Sequence, residues 1–344
     1  MWTPPRSSST CRVLLPHSET HYDIIETVVD ELGWTTTESR KKQNWDIMWT
    51  DNHIEVHDLF RLNVQQKISH YPAIYVLAKK NFLGRGLMRM AKAFPQEYNF
   101  FPPTWTLPSD LGEVMRFDSQ CEPDSKPIYI FKPDAGCQGK GITLFTKIEE
   151  IEEKSGVIQT YINNPLLIDG LKFDLRIYVL IYGCDPVRIY RYEEGLARFA
   201  TEPYEKARKR NLKDNYIHLT NYAINKNNKK FIFNTSDKQM HVGHKRSLSA
   251  VFGFLAGRGI DVDELKKKID RMIVKTLLVG KPTLEHMYGL SQKDDVAKDH
   301  CFQILGFDVM LDDQMEPVLL EVNHTPSFAT DTPLDKTIKK QLIK

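Results

Sequence analysis

The sequence predicts an α+β protein built in two or three lobes. Three observations carry that expectation. The chain has 344 residues, 41% of them hydrophobic, which is ample for a large core and for more than one lobe. Its first unit, Cys11 to Trp49, alternates short strands with a helix. From Asp169 it turns strand-rich and closes on a hairpin, Gln303 to Phe328, reading QILGFDVMLDDQMEPVLLEVNHTPSF.

The elements follow from spacing. Cys11 to Leu15 reads as a strand, His21 to Leu32 as a helix with Ile24, Ile25, Val28 and Val29 on one side, and Asp46 to Trp49 as a second strand. Lys79 to Ala93 has helical spacing at Phe82, Leu83, Leu87, Met88 and Met90, with Arg85, Arg89 and Lys92 opposite. Strands follow at Ile128 to Lys132, Ile142 to Phe145, Val157 to Ile162, Gly170 to Ile181 and Val187 to Phe199. Lys226 to Ser247 lacks periodicity and reads as a loop. Asp261 to Leu278 is an amphipathic helix capped by its Asp and ended by Gly280 and Pro282. Thr337 to Ile343 reads as a helix in which the chain stops.

Charge and cysteines exclude several classes. With 47 basic and 45 acidic residues the formal charge is +2, so the chain is not globally a binder of nucleic acid or membrane surfaces. Its apolar runs fall far short of a membrane span. Met1 to Thr10 is a Pro/Ser-rich arm without the apolar stretch of a secretory signal. Cys11, Cys121, Cys137, Cys184 and Cys301 form no CxxC pair or Cys/His cluster. Neither a disulfide framework nor a zinc site is indicated, and a reducing, cytosolic setting fits.

Several stretches can carry chemistry, each with a plainer alternative. In the closing hairpin, period-2 alternation puts Glu321 and Asn323 on one face, with Asp308 on the preceding strand roughly opposite Leu319 to Glu321. An Asp, a Glu and an Asn make an all-oxygen set suited to Mg²⁺; a solvated turn of a core hairpin reads the same way. Pro133 to Gly141 (PDAGCQGKG) carries three glycines in six residues, either a phosphate-covering flap or an ordinary hairpin turn. It is not a Walker loop, because Ile142-Thr143 stands where Lys-Ser/Thr is required. Lys132 could supply the flap's charge. In GLKFDLRIYVL, alternation puts Lys172, Asp174 and Arg176 on one face and Phe173, Leu175 and Ile177 in the core. That is a salt-bridged ladder or an anionic reaction centre, and Arg198 adds a cation from the next strand. Gln159 to Ile162 is an adenine hinge or core packing. Thr220 and Asn221 in HLTNYAIN are ligand groups or turn chemistry.

The order of these stretches resembles the ATP-grasp fold, in which two α+β lobes hold ATP between them. More specifically, KPDAGCQGKGI, QTYINNPLLIDGLKFDLRIYVLI, YEEGLARFAT, HLTNYAINK, ILGFDVMLD and LLEVNHTPSF resemble the tubulin–tyrosine-ligase-like family over about Asp46 to Asp335. The CQGKG loop and NHTPSF tail resemble its polyglutamylase branch, particularly the members that elongate glutamate chains. The resemblance implies lobes over 1–66, 67–163 and 164–344, with ATP between antiparallel sheets. It implies an ATP-dependent ligase that phosphorylates a glutamate side chain of a tubulin C-terminal tail and joins free L-glutamate to it. It places Lys80 (or the adjacent Lys79), Lys132, Gln138, Gly139 and Gly141 at the phosphates, and Gln159, Tyr161 and Ile162 at adenine. Thr220 and Asn221 join the nucleotide site. Lys172, Asp174, Arg176 and Arg198 fall at the reaction centre, and Asp308, Glu321 and Asn323 on two Mg²⁺ ions. His324, Cys137, Gln138 and Arg198 face substrate, with a local hydrogen bond as the alternative role of His324. The expected protein is a monomer of the cytoplasm and cytoskeleton, with cilia or basal bodies as candidate sites. A glycine or tyrosine ligase of the same fold, or an inactive microtubule-binding relative, are the competing functions.

Overall fold

The computed structural model describes residues 10–16, 22–38, 44–122, 125–134, 138–151, 155–236, 239–292 and 295–344. The first unit is a parallel sheet. β1 (Arg12–Leu14) leads through α1 (Asp23–Glu31) to β2 (Thr35–Thr37), then to β3 (Ile47–Met48), α2 (Val56–Leu59) and β4 (Lys67–Ile68). The strand order is β2-β1-β3-β4, all parallel. α1 buries Ile24, Ile25, Val28 and Val29, the stripe its spacing predicts. β2 and β4 are not foreshadowed in the sequence: one is three threonines and the other two residues, too short to show alternation.

The second unit contains α3 (Tyr75–Ala78), α4 (Lys80–Ala93), β5 (Thr104–Leu107), α5 (Leu111–Gln120), β6 (Tyr129–Pro133), β7 (Thr143–Phe145) and β8 (Gly156–Thr160). Its antiparallel sheet has the order β5-β8-β6-β7. α4 buries Leu83, Gly84 and Leu87. Phe82, which the spacing assigns to the same stripe, is exposed.

The third unit is the largest. It holds β9 (Leu167–Ile168), β10 (Leu171–Tyr182), β11 (Arg188–Phe199), α6 (Asn215–His218), α7 (Tyr222–Asn225), β12 (Lys245–Ser247), α8 (Leu248–Ala256), α9 (Val262–Ser291), β13 (Phe302–Leu311), β14 (Pro317–Asn323) and α10 (Pro333–Ile343). The antiparallel order is β12-β11-β10-β13-β14, with β9 paired to the start of β10. One face of this sheet is apolar. Phe173, Leu175, Ile177 and Val179 of β10 and Phe307 and Val309 of β13 join one core with Val251 and Leu255 of α8 and Ile269, Met272 and Ile273 of α9. Each such side chain contributes about 1.5–3 kcal/mol on burial. This packing fixes the sheet, and so fixes the opposite face, which carries the charges.

Three expectations need correction. α9 does not stop at Gly280 and Pro282; it runs on to Ser291 with Pro282 inside it. The proline removes one helical hydrogen bond, but the later turns bury Leu284 and Tyr288. Gly280 serves close packing, not termination: a Cβ there would lie 2.6 Å from Leu77 Cγ on α3. The 226–247 stretch is irregular apart from its last three residues. Those three form β12, paired to β11. The closing helix, expected from Thr337, begins earlier at Pro333, where Thr332 caps it by accepting from Asp335 N.

Candidate active site

Two rows of charge cross the large sheet. Residues directly opposed in an antiparallel ladder share a face. Asp174 of β10 opposes Arg198 of β11, and Arg198 opposes Lys245 of β12. Two residues along, Arg176 of β10 opposes Asp308 of β13, and Asp308 opposes Glu321 of β14. A bulge beside this last pair lets Asp308 oppose Glu321 while Val309 opposes Leu319. Leu320 is the extra residue. The bulge explains why Leu319 and Val322, three apart, are both in the core, while Glu321 turns to the charged face.

Asp174, Arg198, Asp308 and Arg176 form a continuous chain. Arg198 donates from Nε to Asp174 Oδ1 at 2.7 Å and from Nη2 to Asp174 Oδ2 at 2.9 Å. The same Nη2 reaches Asp308 Oδ2 at 2.8 Å. Arg176 donates from Nε and Nη2 to the two oxygens of Asp308. Thr220 donates its hydroxyl to Asp174 Oδ2. Burial opposes the charge on Asp308, but Arg176 and Arg198 hold its carboxyl well below the usual carboxylate range. Burial, and then the neighbouring Asp308, push the Glu321 carboxyl up.

Two lysines stand differently. Lys132 Nζ donates to Gln159 Oε1 at 2.6 Å, and Gln159 Nε2 donates to Thr104 Oγ1 at 2.9 Å. Lys172 Nζ donates to the Tyr161 hydroxyl at 2.8 Å and to His218 O at 3.0 Å, and lies 4.2 Å from the Tyr161 ring centroid. These hydrogen-bond partners are neutral. Burial lowers the Lys132 ammonium to about 8 and the Lys172 ammonium to about 7, outweighing the opposing pull of Glu321 on the first and of Asp174 on the second, and another nearby cation lowers each further.

A cleft lies over this face. It brings together Lys132, Gln159, Tyr161, Ile162, Lys172, Asp174, Arg198, Thr220, Asn221, Asp308 and Glu321. Arg176, Asn323 and Gln138 line a larger adjoining cleft, which also touches Arg198, Asn221 and Glu321. Lys80 lines a small cavity with Lys132 and Glu321. Lys79 instead lies over the Tyr75 and Phe82 rings, at 5.3 and 5.8 Å, so of the two candidate lysines Lys80 is the one at the site. In the glycine-rich loop Gln138, Gly139 and Gly141 have positive φ of 59°, 83° and 75°. A Cβ on Gly139 would lie 3.0 Å from Asn221 Oδ1, so the loop passes close to the cleft. Cys137, with Gly136, lies outside the described residues.

His324 falls elsewhere. Its ring lies 4.8 Å from that of Tyr75 and 5.8 Å from that of His70, and its carbonyl accepts from Gln303 Nε2 at 2.7 Å. Burial, and then His53, lower its imidazole. The sequence reading also missed contributors. His218 and Met310 line the first cleft, and Lys245 and Lys339 line the adjoining one. Lys245 sits in the aperiodic stretch, where only the β12–β11 register reveals its neighbour.

The all-oxygen set passes a first geometric test for Mg²⁺. Asn323 Nδ2 lies 3.4 Å from both Asp308 Oδ2 and Glu321 Oε1. The three heads therefore converge, and a half-turn of the amide would present Asn323 Oδ1 to the same point. Among the described residues no group of three His, Cys, Asp or Glu side chains is placed to hold a metal; the set here is two carboxylates and an amide.

The model of the tubulin-tyrosine ligase family matches residues 60–344. The chain belongs to that family. Its fold is accordingly ATP-grasp-like and of the α+β class. Tubulin-tyrosine ligase family relatives include the "Probable beta-tubulin polyglutamylase" of Tetrahymena thermophila, 46% identical over 336 residues, which are 96% of this chain and 28% of that protein. The human "Tubulin polyglutamylase TTLL6" is 39% identical over 96% of this chain and 36% of its own length. The mouse "Tubulin polyglutamylase TTLL13" is 43% identical over 88% of this chain and 37% of its own length. The chain thus spans roughly a third of the length of these curated relatives. Among the described residues no helix is long and apolar enough to cross a membrane.

Proposed function

We propose that the chain is the catalytic core of an ATP-dependent carboxylate–amine ligase that adds free L-glutamate to glutamate side chains in tubulin C-terminal tails. One observation carries the reading: a cleft floored by paired Arg–Asp charges and flanked by two buried lysines whose hydrogen-bond partners are neutral. The relatives, named as tubulin polyglutamylases, supply the substrate class. The setting would be the cytosol and the cytoskeleton.

The acceptor carboxylate attacks the γ-phosphorus, the bond to ADP breaks, and an acyl phosphate forms. The amine of the incoming amino acid then attacks the acyl carbon, and phosphate leaves as the amine gives up its proton. No enzyme nucleophile is needed, so catalysis rests on positioning and on charge. Lys132 and Lys172 would neutralise phosphate oxygens, with Lys80 and the Gly139–Gly141 backbone beside them. Ile162 and Tyr161 would pack on adenine, while the Gln159 side chain serves by holding Lys132. Thr220 and Asn221 would position the nucleotide. Arg176 and Arg198 would stabilise the acyl-phosphate oxygens, held in place by Asp174 and Asp308. Asp308, Glu321 and Asn323 would hold Mg²⁺, which when bound shields the charge of the β- and γ-phosphates.

The test is incubation with tubulin, Mg-ATP and a mixture of glutamate, glycine and tyrosine, read by intact mass. Repeated glutamate increments are expected. Glycine or tyrosine increments would replace the reading with another ligase, and no increment from folded protein would leave an inactive microtubule-binding relative.

A further inference from the structure

The larger cleft beside the nucleotide site has a charge imbalance in its floor. Lys245 of β12 and Lys339 of α10 are 5% and 6% exposed, and both address one carboxylate, that of the fully buried Asp335. Lys245 Nζ donates to Asp335 Oδ2 at 2.7 Å and lies 3.7 Å from the Tyr222 ring centroid. Lys339 Nζ lies 3.3 Å from Asp335 Oδ1 and donates to Ala329 O. Thr332 donates its hydroxyl to Asp335 Oδ2. Asp335 Oδ1 accepts no hydrogen bond. The other carboxylates lining this cleft are Asp331, exposed and bonded to the Tyr222 hydroxyl, and Glu321.

Two ammonium groups on one carboxylate leave a buried positive charge without a counter-ion. Burying such a charge is costly unless it is paired. An anion from solution would complete the set. Lys245 directly opposes Arg198 across the β12–β11 ladder, and both line this cleft, so the lysine pair lies beside the arginine assigned to the acyl-phosphate oxygens.

We propose that Lys245 and Lys339, bridged by Asp335, bind the side-chain carboxylate of the incoming free amino acid and so select a dicarboxylic amino acid. The assignment rests on the ligase reading, and it supplies the cation that a glutamate pocket requires and a glycine or tyrosine pocket does not. Because one lysine is in excess, Lys245→Met or Lys339→Met leaves a neutral pair with Asp335 and a folded protein. Asp335→Asn leaves two buried ammonium groups and lowers the melting temperature.

The experiment is equilibrium binding of radiolabelled L-glutamate and L-glutamine to the whole chain, with Mg²⁺ and a non-hydrolysable ATP analogue. The wild type is expected to prefer glutamate. Either methionine variant is expected to weaken glutamate about 10- to 100-fold, the range for a charge-assisted hydrogen bond, and to leave glutamine and nucleotide binding unchanged. If one variant does not fold, the other carries the test. Equal losses for glutamate and glutamine, or no binding of glutamate by the wild type, would overturn the clamp. So would a result in which an acidic tail peptide, and not free glutamate, loses affinity. A wild type that binds glutamate selectively but adds none to tubulin would sink the ligase reading and leave the clamp standing.

Discussion

Arg176 and Arg198, on the charged face of the large sheet, and Lys132 and Lys172, which line the cleft over it, are all cations, but they are held in opposite ways. The arginines are locked by carboxylates: Asp174, Arg198, Asp308 and Arg176 alternate in sign, and their charges cancel. The lysines are held by a glutamine, a phenol and a backbone carbonyl, none of which cancels charge. Arginine's planar fork suits the first task and lysine's compact, titratable ammonium the second. The difference assigns geometry to the arginines and available charge to the lysines.

The largest effect should come from breaking the cancelled set. Arg198→Met leaves Asp174 and Asp308 with one guanidinium between them in a buried site. Removing one partner of a buried pair costs about 3–5 kcal/mol, readable as a fall in the urea midpoint. Lys172→Met should do the reverse and leave the unliganded protein as stable or more so, since it removes a buried charge whose hydrogen-bond partners are neutral. Equal destabilisation by both variants would erase the distinction drawn here.

Glu321 tests the site without testing the fold. It crowds Asp308, and burial pushes its carboxyl up, so Glu321→Gln should leave the melting temperature nearly unchanged. Turnover should fall by roughly 100-fold or more, the cost typical of losing a single electrostatic stabiliser. Near-normal activity would refute its assignment to the metal.

The lysines make a pH prediction. In the unliganded protein Lys172 is lowered to about 7 and Lys132 to about 8. Phosphates favour the charged form and raise both, so nucleotide binding near pH 7.5 should take up protons. Calorimetry in buffers of different ionisation enthalpy reads that uptake directly, and Lys172→Met should reduce it. The stability of the free protein moves in step. A lysine whose folded value is lowered binds fewer protons than in the unfolded chain, so stability rises with pH from about 7 toward the ordinary lysine value near 10.5. Below about 7 the full penalty remains.

These charges differed in how far the sequence disclosed them. Period-2 alternation in GLKFDLRIYVL put Lys172, Asp174 and Arg176 on one face, because one side of β10 is packed into the core and register is then tightly specified. The pairing of Asp308 with Glu321 was legible only approximately, because the bulge at Leu320 shifts the ladder and no residue there announces it. Pro282 misled for the opposite reason: a local helix-breaking signal was overridden by the burial of Leu284 and Tyr288 beyond it. Lys245 was invisible, since a three-residue edge strand shows no period and its partner Asp335 lies 90 residues on. Long-range pairing is what a single sequence discloses least.

The surface cations extend the contrast between paired and available charge to its weakest case. An acidic tail would meet exposed basic groups, and Arg85, Arg89 and Lys92 on α4, with Lys206, Arg208, Lys209 and Arg210, are such groups. The structure divides them. Lys92 pairs with Glu113 at 3.2 Å and Arg210 with Glu205 at 2.9 Å. Arg89, Lys206, Arg208 and Lys209 have no carboxylate partner among the described residues, and all four are exposed. Charge reversal of Arg208 or Lys209 should therefore raise KM for microtubules severalfold at low salt without changing kcat, and the effect should fade as the Debye length shrinks below about 8 Å. Reversal of Lys92 or Arg210 should do less, because each is already screened by its neighbour. Microtubule binding that is unchanged at low salt in the Arg208 and Lys209 variants would remove this surface from the path of the tail, and would leave the buried clefts as the whole of the recognition.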